Sequence, residues 1–368
     1  MATMQDRMAF CTFGMFIIDQ IEYLNASRAP VQKILGGAGT YAALGARLAA
    51  GRKNSHAVSW IVDMGSDFPS EFRALIDTWR TSCIFRLDMG RLSTTAWNGY
   101  GPNEFRAFKY LTPKLRLDED SLSDEQALAE SFHMVCSPER CVSIIRGILA
   151  RRKKLGPDEP RPVFVWEPVP DQCTPRELEK VLEAIEHVDV ISPNADEFAA
   201  LFTGSPEQDS KQKMVEKLLG RSEEKPSDTL LVIREGAQGC TAYQRSETLL
   251  HLKASHQSAE NVVDPTGGGN TFLGALAVAL TDRVLPSEQY LVESGFVGDS
   301  RLQRVLLALV HATVAAGYAI EQVGMPTLTD VEQDAWNGHA YQKRFTSYLA
   351  REKSYIADQL KQWQSIKP

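Results

Sequence analysis

Short runs of apolar residues alternate along the chain with longer stretches in which apolar positions recur every three or four residues. The short runs predict buried β-strands, and the longer stretches predict amphipathic helices. Strands are predicted at Ala9–Ile18, Ala57–Val62, Ser82–Leu87, Phe132–Ser137, Val163–Trp166, Val188–Ile191 and Leu230–Arg234. Helices are predicted near Thr40–Ala50, Pro69–Arg80, Glu139–Ala150, Pro175–His187, Asp209–Leu219, Gly269–Asp282 and Leu302–Glu321. This alternation is typical of an α/β fold with a mainly parallel sheet.

Two segments depart from the alternation. Residues 88–112 are rich in Thr, Gly and aromatic side chains, and their partial alternation predicts a small β flap. In residues 327–368, large aromatic and apolar side chains recur at mostly helical spacings in an otherwise polar stretch, which predicts a helix or helix pair docked on the main body. The sequence therefore predicts an α/β domain over residues 1–326 and a helical extension after it.

Composition and charge restrict the classes of function. Apolar residues make up 43% of the 368 positions and charged residues 24%, which is typical of a globular protein. The 40 Lys and Arg residues against 47 Asp and Glu give a net charge of −7, so a nucleic-acid partner has no electrostatic support. The six cysteines include no C-x-x-C pair, which argues against a zinc site. The longest apolar run near the start, Phe10 to Ile18, is too short to cross a bilayer, so we expect a cytoplasmic protein without a membrane partner.

The most informative segment reads V-V-D-P-T-G-G-G-N-T-F-L-G-A-L-A-V-A-L, residues 262–280. An apolar strand is predicted to end at Asp264, and an apolar helix directly follows Gly267, Gly268 and Gly269. Glycine costs backbone entropy, so three in succession indicate that the main chain approaches something closely. Free amides at a helix N-terminus bind anions, which favours a phosphate site. The alternative is a tight turn that binds no ligand.

This segment resembles the second signature of the ribokinase/PfkB carbohydrate kinase family, D-T-x-G-A-G-D, which ends in the catalytic aspartate. In this sequence the signature ends in Asn270. The resemblance implies that Gly267–Gly269 form the anion hole and that Asp264 contributes to the cofactor site. It also implies that Asn270 stands at the position of the general base, although a neutral amide has no useful basicity.

A second segment, L-L-V-I-R-E-G-A-Q-G, resembles the nucleotide-binding strand and turn of the family, with Gly236 and Gly239 spaced G-x-x-G. The resemblance implies that Arg234, two residues before the first glycine, touches the nucleotide phosphates. From the sequence, an ion pair of this arginine with Glu235 or another acid is an equal alternative.

Residues 193–197, P-N-A-D-E, match the N-x-x-E motif that organises Mg²⁺ through water in the family. The resemblance assigns this role to Asn194 and Glu197, and the implied cofactors are ATP and Mg²⁺. The alternative is an ordinary helix start with an asparagine cap.

The segments that resemble the acceptor-binding part of the family differ from the family pattern at one position. Asp19 follows Gly14 by five residues, as does the family aspartate that holds substrate hydroxyls. The run I-L-G-G-A-G-T-Y-A-A-L-G-A-R-L-A resembles the first glycine signature of the family. Gly36 and Gly37 fit this signature, but Tyr41 stands where a sugar-contacting asparagine is usual. These four residues are the implied substrate-binding set.

The motifs occur in the order of the family over roughly residues 8–326, and G-G-A-G-T-Y, W-E-P and D-P-T-G-G-G-N together resemble a divergent fungal branch of it. The implied fold is a ribokinase-like three-layer sandwich with a mainly parallel central sheet and a small β lid. Residues 14–37 and 88–112 are expected to supply the lid elements. Open strand edges on such a lid also allow two copies to pair as a homodimer.

The implied activity is ATP-dependent phosphoryl transfer to a hydroxyl of a small-molecule alcohol: a sugar, a nucleoside or a related compound. Asn270 leaves three hypotheses open. The protein is a kinase whose acceptor needs no strong base or finds one elsewhere. It is a nucleotide-binding pseudokinase with a regulatory or scaffold role. Or the same fold carries a different reaction.

Overall fold

The computed structural model describes residues 7–24, 29–101, 106–220, 228–296 and 298–366. Its strands, in chain order, are β1 (Phe10–Thr12), β2 (Ile17–Tyr23), β3 (Val31–Gly36), β4 (Val58–Met64), β5 (Ser82–Leu87), β6 (Thr95–Tyr100), β7 (Arg106–Tyr110), β8 (Ser131–Cys136), β9 (Val163–Pro168), β10 (Val190–Ile191), β11 (Leu230–Arg234), β12 (Cys240–Gln244), β13 (Glu247–Leu252), β14 (Leu328–Asp330), β15 (Ala335–Trp336) and β16 (His339–Ala340). Its helices are α1 (Ala38–Asn54), α2 (Ser70–Thr78), α3 (Asp124–Ala127), α4 (Pro138–Leu155), α5 (Leu178–Ile185), α6 (Ala195–Ala200), α7 (Lys211–Leu219), α8 (Gly268–Ala279), α9 (Glu288–Glu293), α10 (Ser300–Ala319) and α11 (Tyr341–Ile366).

Nine of the described strands form the central sheet, in the order β13-β12-β11-β10-β9-β8-β1-β4-β5. Neighbours from β11 to β5 are parallel, and β12 is antiparallel to both strands beside it. Strands β4 and β5 follow β1 on one side of the sheet, and β8 to β13 follow on its other side. The strand order therefore reverses between β1 and β8. Open α/β sheets bind ligands at the carboxyl ends of the strands beside such a reversal. The predicted mainly parallel α/β sheet is confirmed.

The predicted strand at Ala9–Ile18 is wrong as a single element, because the structure has two strands in two sheets there. β1 ends at Thr12, and β2 begins at Ile17 in a smaller sheet. Gly14 lies between them, and a Cβ at this residue would lie 2.4 Å from the amide nitrogen of Gly39. The chain therefore passes directly over the first turn of α1, which requires glycine and redirects the backbone out of the central sheet.

The smaller sheet has the order β3-β2-β6-β7 and is the expected small β flap. β2 runs parallel to β6, with Asp19 opposite Ala96, and the other two pairs are antiparallel. β7 forms one edge of this sheet, and its Phe108 is 54% exposed. Pairing of two copies through this edge stays a prediction.

Three long helices fix the position of the glycine turn. A Cβ at Gly45 of α1 would lie 1.9 Å from the carbonyl oxygen of Thr271, and one at Gly274 of α8 would lie 1.9 Å from that of Ala42, so α1 and α8 pack backbone to backbone. Helix α10 packs against α8. By length and composition α10 also resembles a membrane-spanning helix, but 89% of its most apolar window is buried inside the protein.

Residues 327–366 form the short strands β14–β16 in addition to the long helix α11. Several of their side chains are buried in the same hydrophobic core as α1, α8 and α10: Trp336, Tyr341, Phe345, Tyr348, Leu349, Ile356 and Leu360. The guanidinium of Arg47 on α1, which is 1% exposed, donates to both carboxylate oxygens of Asp334 at 2.7 and 3.1 Å. The C-terminal segment is therefore built into the core.

Candidate active site

The glycine turn opens α8. Gly267 has φ of 79° and precedes the first helical residue, Gly268, so the amides of the first turn receive no side-chain cap from it. A Cβ at Gly267 would lie 2.2 Å from a ring carbon of Tyr41, so the tyrosine ring lies flat against the turn. A helix N-terminus of this kind presents partial positive charge and free N–H groups to an anion.

The strand predicted to end at Asp264 is absent from this part of the described chain. A short 3₁₀ turn at Ala259–Asn261 is followed by extended backbone, and the amides of Val263 and Asp264 donate to the carbonyl oxygen of Ile320 at 2.8 and 3.2 Å. The segment is thus bonded to the end of α10 and not to a neighbouring strand. Its apolar residues, Val262 and Val263, remain exposed.

Asp264 shapes the glycine turn and connects it to the flap. Its side chain is buried, and its Oδ1 accepts a hydrogen bond from the Thr266 amide at 3.0 Å. The hydroxyl of Tyr100, on the flap strand β6, lies 3.5 Å from the same oxygen and hydrogen-bonds with the Thr266 hydroxyl. The flap is therefore closed onto the turn in this structure.

Asp19 lies on the acceptor side, on strand β2 of the flap. Its carboxylate is 8% exposed and accepts a hydrogen bond from Asn98 Nδ2 at 3.1 Å. A Cβ at Gly36 would lie only 1.9 Å from Oδ2 of this carboxylate, and Gly37 has φ of 91° with its own Cβ position 2.4 Å from the Met15 carbonyl oxygen. Gly36 is thus required by the close approach of the Asp19 carboxylate, and Gly37 by that of the backbone just before β2.

Burial raises the pKa of Asp19 from 3.8 to about 7; the hydrogen bonds from Asn98 and the Gly37 backbone oppose the shift, and the nearby Asp264 adds to it. The hydroxyl pKa of Tyr41 is also raised, first by burial and then by Asp19, Asp264 and Tyr100. Tyr41 therefore lies among the acceptor carboxylate, the flap tyrosine and the glycine turn.

A pH effect on stability follows for Asp19. The folded protein binds its proton more tightly than the unfolded chain, so the free energy of unfolding should fall as pH rises from about 4 to 7, by on the order of 4 kcal/mol. The substitution Asp19→Asn removes this contribution and should therefore stabilise the protein at pH 8 but not at pH 4. Urea unfolding of both proteins at the two pH values checks this, and equal stability at pH 8 would contradict it.

On the nucleotide side, β11 ends in a turn that contains Gly236 and Gly239, with φ of 56° and 95°. A Cβ at Gly239 would lie 1.9 Å from the carbonyl oxygen of Leu252, so this glycine is needed for packing against β13. A Cβ at Gly236 would meet no atom within 4 Å, so this glycine borders open space. Of these two glycines, Gly236 is therefore the one where a ligand could approach the backbone.

The guanidinium of Arg234 lies beside the glycine turn. A Cβ at Gly269 would be 2.1 Å from its Nη1. Its Nη2 donates to Glu167 Oε1 at 2.6 Å and to the Ser192 carbonyl oxygen at 3.1 Å, and lies 3.5 Å from Glu197 Oε2. A positive charge held by two carboxylates thus stands next to the first turn of α8.

Of the two sequence-based alternatives for Arg234, the ion pair is observed, but its partner is not Glu235. That carboxylate pairs with Lys211. Glu167, which lies near the carboxyl end of β9 and is 7% exposed, is not among the site residues predicted from the sequence. A buried acid at the carboxyl end of a parallel strand is a signal that could have identified it.

Asn194 and Glu197 form the capping box that starts α6: the Glu197 carboxylate accepts from the Asn194 amide at 2.7 Å, and the Asn194 side chain accepts from the Glu197 amide at 2.8 Å. Burial raises the pKa of Glu197 to about 7, Arg234 opposes the shift, and Glu167 adds to it.

A Mg²⁺ ion bound directly to Glu167 and Glu197 fits the arrangement poorly, because both carboxylates already face the guanidinium of Arg234. In the described part of the chain, no cluster of three or more His, Cys, Asp or Glu side chains could hold a metal ion. Binding of Mg²⁺ through Asn194 and Glu197 stays a prediction.

Asn270 lies in the first turn of α8, directly after Gly269. Its side-chain Oδ1 is buried and has no hydrogen-bond partner among the described residues. A buried acceptor without a partner costs about 1–3 kcal/mol, so this oxygen is available to a donor on a ligand or water.

The structure therefore brings two groups of predicted residues to the same edge of the sheet. Asp19, Tyr41 and Asp264 converge on Gly267 from the flap side, as their contacts and electrostatic interactions show. Arg234 reaches Gly269 from the nucleotide side, and its carboxylate partners come with it. The glycine turn predicted to bind an anion lies between the two groups.

Comparison with known proteins agrees with this arrangement. Residues 11–299 match the model of the pfkB family of carbohydrate kinases. Protein MAK32 of Saccharomyces cerevisiae is 33% identical over 358 residues, which cover 92% of this chain and 92% of that protein. A ribokinase structure from Giardia lamblia has a TM-score of 0.67 at 16% identity and covers 94% of this chain and 99% of that one. A Cryptococcus neoformans ribokinase in complex with ADP has a TM-score of 0.59 at 16% identity, with coverages of 94% and 99%.

The two ribokinase structures establish the fold, and the yeast relative establishes the fungal branch. Both expectations from the sequence are confirmed. With a family match over most of its length, the chain belongs to the pfkB family of carbohydrate kinases.

Proposed function

We propose that the protein binds ATP with its phosphates at the N-terminus of α8 and transfers a phosphoryl group to a hydroxyl of a small-molecule alcohol held under the flap. The acceptor is a sugar, a nucleoside or a related compound. The observation that carries this proposal is the position of Tyr41, whose ring lies against the Gly267 turn while its hydroxyl interacts with Asp19. Acceptor and phosphate sites thus adjoin.

The chain's own residues would position and stabilise the reactants. Phosphoryl transfer is mostly positioning and charge stabilisation, because its transition state is loose. The first-turn amides and Arg234 offer positive charge to the phosphates. Asp19 and Asn98 supply hydrogen-bonding groups for acceptor hydroxyls. Tyr41 is buried with its ring against the Gly267 turn, so it shapes the proposed acceptor site without offering a free stacking face.

A nucleotide-binding pseudokinase is the second candidate function, and Asn270 favours it. The side chain at the position of the general base is a neutral amide. General-base catalysis contributes about 10²–10⁴-fold to rate, so its loss leaves a slow kinase or none. Both candidates share one requirement, which is nucleotide binding at the glycine turn.

Nucleotide binding is tested with Gly268→Asp, which adds a negative charge at the first residue of α8. Because the charge repels phosphate, the affinity for ATP measured by calorimetry should fall about 10-fold or more. The matched control is Ala350→Asp, which adds the same charge on the exposed face of α11 and should leave affinity unchanged. If native protein binds neither ATP nor ADP at millimolar concentration, both candidate functions fail.

A further inference from the structure

The nitrogen of Arg234 that lies closest to the glycine turn has no hydrogen-bond acceptor among the described residues. All hydrogen bonds of the guanidinium to described residues use Nη2, and none uses Nη1, the atom beside Gly269. The Nε atom is buried and likewise has no partner among the described residues. One donor of a charged group, Nη1, is thus left over beside the N-terminus of α8.

The carboxylate predicted to organise a metal ion, that of Glu197, faces this guanidinium together with that of Glu167. Glu167 binds it at 2.6 Å, and Glu197, which also accepts from the Asn194 amide, lies 3.5 Å from it. A divalent ion in the same place would be repelled by the guanidinium and would have to displace it. The side chain of Arg234 is only 13% exposed, so displacement into water would disturb the packing around it.

We propose that Arg234 is the resident cation of the phosphate site, so that nucleoside phosphates bind at the N-terminus of α8 without a divalent metal ion. A guanidinium is permanently charged and donates charge-assisted hydrogen bonds to phosphate oxygens. Nη1, the atom beside Gly269, is the donor available for this contact. The inference rests on the nucleotide site of the proposed function and removes the requirement for a divalent metal ion at that site.

The first test uses the native protein with ADP as the probe, titrated by calorimetry in buffer with Mg²⁺ and in buffer with EDTA. The expected result is a Kd that changes by less than about 3-fold between the two buffers. ADP binding that requires Mg²⁺ would overturn the inference but leave the proposed function intact. Absence of ADP and ATP binding in both buffers would overturn the proposed function together with the inference.

The second test uses Arg234→Met, which keeps much of the side-chain volume and removes the charge. In EDTA its affinity for ADP should fall about 10-fold or more, and Mg²⁺ should restore part of the loss because Glu167 and Glu197 are then free to bind the ion. Arg234→Lys, which keeps the positive charge but loses the guanidinium, should have an intermediate affinity for ADP. An Arg234→Met protein that binds ADP in EDTA as tightly as the native protein would overturn the inference.

Two controls accompany the variants. Arg301→Met removes an exposed positive charge that pairs with Asp228, and it should leave ADP affinity unchanged. Thermal melting with and without Mg²⁺ shows whether each variant is folded. The metal should raise the melting temperature of Arg234→Met but not that of the native protein. A rise in the native protein as large as in the variant would contradict a resident cation.

Discussion

Deletion of residues 327–368 is expected to leave no cooperatively folding protein. The deletion removes buried side chains of β15 and α11 from the core that α1, α8 and α10 share, among them Trp336, Tyr341, Phe345 and Ile356. Burying such a side chain is worth about 1.5–3 kcal/mol, so the sum exceeds the usual net stability of a domain. Insoluble expression, or the loss of a thermal unfolding transition in circular dichroism, would confirm this. A deleted protein with a native melting transition would contradict it.

A single substitution measures how much the Arg47–Asp334 ion pair contributes to stability, apart from the buried apolar side chains. Asp334→Asn keeps the size of the side chain but leaves Arg47 buried without its counter-charge, and it should lower the free energy of unfolding by about 3–5 kcal/mol. The matched control is Glu332→Gln, which removes an exposed partner of Arg52 on the same segment and should have little effect. Urea unfolding of the three proteins measures both changes. Equal losses for the two variants would show that the buried position of Arg47 does not matter.

The substitution Asn270→Asp is expected to raise turnover by about 10-fold or more, with the 10²–10⁴-fold that general bases typically supply as the upper range. The new carboxylate would lie in the first turn of α8, where the helix dipole and the guanidinium beside Gly269 favour its ionised form. It would therefore be ready to accept a proton at neutral pH. The measurement is ADP production by both proteins with a panel of sugars, nucleosides and other alcohols.

The control for this prediction is Asn270→Ala, which adds no base and should give no gain. A loss of existing activity in Asn270→Asp would show that the asparagine is itself the functional group, since the new charge would then repel a bound anion. No turnover in any of the three proteins across the panel would favour the pseudokinase.

Much of the fold could be predicted because buried parallel strands are recognisable locally. Such strands read as continuous apolar runs, and the predicted runs at β4, β5, β8 and β11 agree with the observed strands to within one or two residues at each end. The order of the glycine motifs was equally informative. The turn at Gly267–Gly269 is where the sequence places it, since a left-handed residue before a helix demands glycine.

The remaining features depend on contacts between residues that are far apart in the chain. The break after Thr12 is imposed by the backbone of Gly39, and the short strands β14, β15 and β16 exist only through pairing with one another. Asn98 and Tyr100 carry no local signal for a site; the flap sheet brings them to Asp19 and to the glycine turn. In physical terms, a single sequence reports local periodicity well but does not report which charges meet.

The closed flap has a kinetic consequence. Asn98 and Tyr100 lie on the same face of β6, two residues apart, so one strand covers both the acceptor carboxylate and the glycine turn. Under the proposed function, the hydrogen bond between Tyr100 and Thr266 would compete with binding of the acceptor. An acceptor would bind only after this strand opens, and its apparent affinity would be reduced by the fraction of molecules that are closed. At high acceptor concentration the rate of association is then set by the opening of the strand, a property of the protein that no change in the acceptor can accelerate.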